Sequence, residues 1–202
     1  MSELLKQSII DVGRWIDTQG WCPATGGNFS VRIDTNSAWV TASGKHKGQL
    51  TPADLLKVDL LGNPLDSALK PSAETLIHTQ LYALDAHIGA VLHTHSIAST
   101  VLSRLTEGSD FYLHGYEMQK SLSGNNTHDA TVRICIFENT QDMSQLAAAL
   151  KSEWAQQPLY WGFLVRGHGL YAWGKDIQEA KRHLEGIEFL LACDLEMRRL
   201  AK

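Results

Sequence analysis

Two histidines, His93 and His95, stand two positions apart at the end of the apolar run Ile88-Gly-Ala-Val-Leu92. In an extended strand, residues i and i+2 point to the same face. Both imidazoles therefore leave one strand end in the same direction and can reach one metal ion, for which neutral imidazole is a common ligand. A hydrogen-bonded surface pair is the competing reading. A catalytic zinc usually takes three protein ligands and keeps one position open. His168 is the leading candidate for the third, because Arg166-Gly167-His168-Gly169 follows the apolar run Phe163-Leu-Val165. Glycines there let the backbone turn sharply and bring an imidazole to a crowded point. His78 follows Glu74 by a helical turn, a spacing that can hold a metal, but a solvated helix face is the simpler reading. His46 and His128 read as loop residues, and His87, His114 and His183 have no ligand context.

Three turns upstream of the histidine pair are suited to an anion. Thr25-Gly26-Gly27-Asn28-Phe29-Ser30 offers backbone N–H groups that two glycines leave free to converge, and Asn28 adds a side-chain donor. Thr41-Ala42-Ser43-Gly44-Lys45 is a second donor-rich turn with a cation beside it, and Lys70-Pro71-Ser72-Ala73 is a third. Each alone is an ordinary turn. The Walker spacing Gly-x4-Gly-Lys-Ser/Thr is absent. Three such turns before one metal motif point to a phosphorylated substrate.

A metal and an anion site still need a proton carrier. Glu74 opens a predicted helix, where an acidic residue is favoured by the helix dipole alone. Glu117 stands in His114-Gly-Tyr-Glu117-Met118, among aromatic and apolar neighbours. Burial among them would raise its pKa and suit acid/base work, whereas an ordinary, partly exposed glutamate is the plainer alternative.

These residues need elements to carry them. The spacing of Leu5, Ile9, Val12 and Ile16 predicts a helix over 3–19, stopped by Gly20. Residues 28–33 and 38–42 read as a hairpin, Thr51-Pro52 as the start of a helix, and Lys57–Leu60 as a short strand. Helices are predicted over 73–86, 96–106, 142–156 and 176–200. Strands are predicted up to His93–His95 and over 131–137, 160–166 and 169–173. Short turns between strands imply a mixed or antiparallel sheet with helices on both faces.

Composition narrows the classes. The chain has 202 residues, 44% of them hydrophobic, enough for one core and read as a single domain, 1–202. No apolar run approaches the roughly 18–20 residues of a membrane span. A net charge of −4 without a Lys/Arg block argues against a nucleic-acid partner. Met-Ser-Glu-Leu-Leu-Lys shows no basic region followed by an apolar run. Cys22, Cys135 and Cys193 are odd in number and far apart, as expected of reduced thiols in a cytoplasmic protein. Cys22, near the glycine loop, reads as an ordinary small buried residue.

Thr25-Gly-Gly-Asn-Phe-Ser30, Ala42-Ser-Gly-Lys45, Lys70-Pro-Ser-Ala-Glu74, His93-Thr-His95 and Arg166-Gly-His-Gly169, in that order, resemble the class II aldolase/adducin family over nearly the whole chain. The resemblance implies an α/β fold of three layers, αβα, with a mainly antiparallel central sheet covered by helices on both faces. It implies one Zn2+ per subunit on His93, His95 and His168. It implies a phosphorylated sugar substrate held at Gly27, Asn28, Ser43, Gly44 and Ser72, and a homotetramer with active sites at subunit borders. The family's aldolases often carry two serines before the glutamate, and Ala73 replaces the second here, so one phosphate donor is missing. Leu113-His-Gly-Tyr-Glu117-Met-Gln-Lys120, Phe137-Glu-Asn-Thr-Gln-Asp142 and Val165–Trp173 bring the resemblance closer to the family's dehydratases. There the Glu117 position is the catalytic acid/base and the Glu74 position lies beside the substrate. In the sugar-phosphate aldolases the Glu74 position moves the proton, so an aldolase or 4-epimerase is the second reading. A non-catalytic head like that of adducin, serving association, is the third.

Overall fold

The computed structural model describes residues 2–65 and 67–201. Helix α1 (Ser2–Thr18) buries the predicted stripe through Ile9, Val12 and Ile16. Strands β1 (Asn28–Asp34) and β2 (Ser37–Thr41) form the expected hairpin. Asp34 closes its turn by accepting hydrogen bonds from Asn36 N and Ser37 Oγ. The helix expected at Thr51-Pro52 is only a single 3-10 turn, Pro52–Asp54, because the Asp54 carboxylate accepts from both Thr51 N and Thr51 Oγ1 and the chain then extends. The remaining elements are β3 (Leu55–Asp59), β4 (Pro64–Leu65), α2 (Thr75–Leu84), β5 (Ala90–Thr94), α3 (Ile97–Leu105), β6 (Asp110–Leu113), β7 (Val132–Phe137), α4 (Met143–Gln156), β8 (Gly162–Val165), β9 (Gly169–Gly174) and α5 (Ile177–Leu200). Strands β4 and β6 were not expected. Both are short edge strands, and Tyr112 of β6 is exposed, so neither carries a full apolar period.

The strands form one sheet in the order β4-β3-β2-β1-β5-β9-β8-β7-β6. Every pairing is antiparallel except β7 with β8, which α4 connects as a crossover. Period-2 alternation sorts the side chains. Phe29, Leu92, Leu164 and Ala172 pack with α1, α3 and α5 on one face. Val91, Phe163, Tyr171 and Trp173 pack with α2 and α4 on the other. His93 shares the second face with Val91, so it looks toward α2. The middle strand β5 is flanked by β1 and β9, with Asn28 opposite His93 on one side and Tyr171 opposite it on the other. The end of β5, the start of β1 and the β8–β9 turn therefore meet at one point.

Candidate active site

At that point the side chains of Glu74, His93, His95 and His168 converge, each offering a ligand atom within 4.8 Å of all the others. The three Nε2 atoms are separated by 2.8 Å (His93–His95), 3.3 Å (His93–His168) and 3.0 Å (His95–His168). Tetrahedral ligands at the usual zinc–nitrogen distance of about 2.0–2.1 Å stand roughly 3.3 Å apart. His93 Nδ1 lies 2.9 Å from Leu170 O, a carbonyl that can only accept. The ring proton is therefore on Nδ1, and Nε2 presents a lone pair to the cluster, the arrangement that second-shell carbonyls impose on metal-binding histidines. Three imidazoles facing one another with a carboxylate alongside fit a divalent cation as their common partner.

The fold fixes each ligand. The Tyr171 ring stacks on the His93 ring with centroids 3.9 Å apart and planes 13° from parallel. His95 lies just beyond β5, and its backbone N donates to Trp21 O. The turn carrying His168 is held by α3: Thr100 Oγ1 donates to His168 O, and Gly167 N donates to Ser103 Oγ. Gly169 has to be glycine, because a Cβ there would come within 1.9 Å of Thr94 O. That contact draws β9, and His168 with it, onto the end of β5.

The sequence offers Glu74 either as a dipole-favoured helix start or as a carboxylate beside the substrate, and only three histidines as ligands. The structure makes Glu74 the fourth member of the cluster. It sits at the N-cap of α2 but makes no side-chain capping bond. Its Oε1 instead lies 3.0 Å from His168 Nε2 and 3.5 Å from His93 Nε2, and Asn28 Nδ2 donates to its Oε2. Burial opposes ionisation of this carboxyl, but the facing rings of His168 and His93, which favour the carboxylate when they carry a proton toward it, outweigh burial and hold the pKa below the usual range. His95 is pushed down to about 3 by burial and by its two histidine neighbours.

All five residues expected to bind the anion, Gly27, Asn28, Ser43, Gly44 and Ser72, line one cavity of about 250 Å³, together with Glu74 and His95. Gly27 has φ +75, and a Cβ there would meet His93 O at 2.5 Å and Cys22 Sγ at 2.7 Å. Only glycine lets the loop lie this close to the metal strand. The three turns are tied together: Asn28 Nδ2 donates to Ser72 Oγ at 3.3 Å, and Ser43 N donates to Lys70 O at 3.0 Å. Burial pushes the Cys22 thiol up to about 12, so it remains a neutral packing residue.

Glu117 takes the plainer of its two readings, an exposed glutamate. It begins a 3-10 turn (Glu117–Ser121), and its side chain is 72% exposed. Lys120 Nζ donates to it at 2.7 Å and holds its pKa below the ordinary value, so the upward shift that burial would bring is absent. It belongs neither to the histidine cluster nor to the cavity lining of its own chain. Its apolar neighbours in sequence are no shield, since Met118 is itself exposed.

His78 is also corrected. It is buried rather than solvated, with Nδ1 2.7 Å from Ser30 Oγ, and burial drives its pKa down to about 3. Two residues near the site were not anticipated. Lys47, rather than Lys45, reaches the cavity, because Lys45 pairs with Asp54 at 2.8 Å. Glu188 of α5 lies buried beneath the metal strand and accepts from Thr94 Oγ1 and Ser96 Oγ. Its signal was a charged residue one turn from both Leu184 and Leu191 on the buried stripe of α5.

Among the described residues no helix is long and apolar enough to cross a membrane. The family model "Class II Aldolase and Adducin N-terminal domain" matches residues 7–195. The chain is 53% identical over 194 residues to a methylthioribulose-1-phosphate dehydratase of Serratia proteamaculans, covering 96% of this chain and 95% of that protein. It is 50% identical over 200 residues to the enzyme of the same name from Pseudomonas aeruginosa, covering 99% and 98%. In structure it superposes on an L-fuculose-1-phosphate aldolase from Thermus thermophilus with a TM-score of 0.79 at 25% identity, covering 100% of this chain and 98% of that one. A sugar-phosphate aldolase from Thermotoga maritima gives 0.73 at 19% identity, covering 100% and 97%. The order of strands, the glycine loop beneath the histidine strand and these matches lead to one assignment: the chain belongs to the class II aldolase and adducin family.

Proposed function

We infer that the protein is a hydro-lyase that takes water from 5-methylthioribulose 1-phosphate, giving 2,3-diketo-5-methylthiopentyl 1-phosphate, a step of methionine salvage. The observation that carries this reading is the junction of a four-ligand cluster with a cavity walled by all three anion turns. The names of relatives about half identical to the chain narrow the substrate. Gly27, Asn28, Ser43, Gly44 and Ser72 hold the phosphate and so fix the distance of the sugar carbons from the cluster. His93, His95 and His168 would hold one zinc ion, with Glu74 beside it. Bound there, the ion supplies a Lewis acid that makes a proton next to a carbonyl more acidic.

Glu117 takes the C3 proton and delivers a proton to the departing C4 hydroxyl; the resulting enol relaxes to the diketone. Its exposure, and its absence from its own chain's cluster and cavity lining, favour delivery from a neighbouring subunit. This accords with a cytoplasmic homotetramer whose active sites lie at subunit borders, each chain acting as one catalytic domain. The test is turnover of this substrate by purified protein, before chelation, after it, and after zinc is restored. Full activity without metal removes zinc from the mechanism. Glu117→Gln is expected to abolish turnover and leave bound zinc unchanged.

One observation favours a second reading. Glu74 lies within the histidine cluster, and its position is the proton carrier of the family's aldolases. Retro-aldol cleavage of fuculose or rhamnulose phosphate, lost in Glu74→Gln and kept in Glu117→Gln, would establish that activity instead.

A further inference from the structure

We propose that Lys47 is a substrate-binding residue, the buried cation that meets the phosphate in the cavity beside the metal cluster. The proposal rests on the phosphorylated-substrate reading above. Lys47 is 2% exposed, and its Nζ donates to Thr25 O at 2.8 Å and to Lys45 O at 2.7 Å. An ammonium has three protons to donate and no acceptor. Two carbonyls account for two of them.

No carboxylate among the described residues pairs with this ammonium. Asp54 is taken by Lys45, and Glu74 is engaged by His168, His93 and Asn28. Cys22, the nearest thiol, is neutral. Removing a charge from water without a directly paired counter-ion is unfavourable, and burial lowers the Lys47 pKa more than the nearby Cys22 and Glu74 raise it. Such a group persists when an ion arrives to complete it.

Lys47 lines the same cavity as Gly27, Ser43 and Ser72. Those residues offer neutral donors, whereas a phosphate monoester carries about −1.5 to −2 charge at neutral pH. Lys47 therefore supplies the cationic charge that the three turns lack. Its backbone is fixed in advance: the 3-10 turn Lys47–Gln49 packs on α1 so closely that a Cβ at Gly13 would come within 2.6 Å of Lys47 O. A donor held in place before binding loses little freedom when the anion docks.

A purely structural brace between Thr25 and Lys45 is the alternative, and the two roles separate by charge. Lys47→Gln keeps an NH2 able to donate to a carbonyl, whereas Lys47→Met keeps none. The experiment measures KM and kcat for 5-methylthioribulose 1-phosphate, and competitive inhibition by inorganic phosphate, in the zinc-loaded protein and both variants. Both variants are expected to raise KM and the phosphate inhibition constant roughly 10–100-fold, the range of a charge-assisted hydrogen bond. Bound zinc should be unchanged and kcat should move far less, as when binding common to the ground and transition states is removed. A Gln variant within twofold of wild type on KM and phosphate inhibition overturns the proposal, even if Met is impaired or fails to fold. If wild-type protein turns the substrate over and is inhibited by phosphate, the phosphate reading stands whatever Lys47 does. If it does neither, both readings fall.

Discussion

Glu188→Gln should stabilise the metal-free protein at pH 8 and do much less at pH 5. Glu188 is buried, and among the described residues its carboxyl receives two hydroxyl donors, Thr94 Oγ1 at 2.9 Å and Ser96 Oγ at 2.5 Å. Burial dominates those bonds and raises its pKa from 4.5 to about 7. Below pH 4.5 the group is protonated both folded and unfolded, and its contribution is fully favourable. As pH rises toward 7 the unfolded chain releases this proton first, so stability falls by about 1.36 kcal/mol per pH unit across the window. Above pH 7 the folded group is ionised too, and the loss levels off at about 3 kcal/mol. Glutamine is neutral throughout and replaces this dependence with a constant. The gain of the Gln variant at pH 8, less its gain at pH 5, should be roughly 2–3 kcal/mol. His78 and His95, each held near 3 by burial, destabilise the fold as pH falls below their unfolded value of 6.5, but equally in both proteins, so they cancel. Urea unfolding of chelated protein at one fixed protomer concentration is the assay, since a bound cation would favour the carboxylate and oligomerisation would shift the midpoint. An equal effect of the substitution at both pH values, within about 0.5 kcal/mol, would show that Glu188 titrates alike folded and unfolded and would refute the reasoning.

Two further substitutions test what braces the cluster. The Tyr171 hydroxyl is buried without a hydrogen-bond partner among the described residues while its ring stacks on His93, so Tyr171→Phe should change stability by less than about 1 kcal/mol and Tyr171→Ala should remove about 3–5 kcal/mol. Urea midpoints decide this, and a large loss in the Phe variant would show that the hydroxyl is bonded in solution. Arg166 donates to three carbonyls, Ser103 O, Thr106 O and Gly108 O, and pairs with Glu138, so its fork fastens the end of α3 to the turn that carries His168. Arg166→Lys cannot reproduce that fork and should lower stability by roughly 2–3 kcal/mol. Divalent-metal binding unchanged from wild type, with the midpoint lowered, would assign Arg166 to the scaffold; an unchanged midpoint would contradict the carbonyl contacts.

What the sequence reveals and what it hides follow from the same physics. His93 and His95 are legible because a strand has a period of two, so their common direction needs no tertiary information. His168 is legible as a candidate through its glycines, but its arrival at the same ion depends on β9 pairing beside β5, a contact between residues far apart in sequence. Lys45 and Lys47 are indistinguishable by pattern; Asp54, brought up by a capping turn, takes one and leaves the other for the cavity. Glu74 reads as a dipole-favoured helix start until its missing capping bond shows that the side chain is used elsewhere. Glu117 shows why aromatic and apolar neighbours along the chain leave burial open: burial is made by neighbours in space, and the plainer, exposed reading is the one found. In every case local periodicity gives direction, and long-range pairing gives company. A site of this kind needs both, and Glu74 has them: the start of α2 sets its direction, and β1, β5 and the β8–β9 turn supply Asn28, His93 and His168 around it.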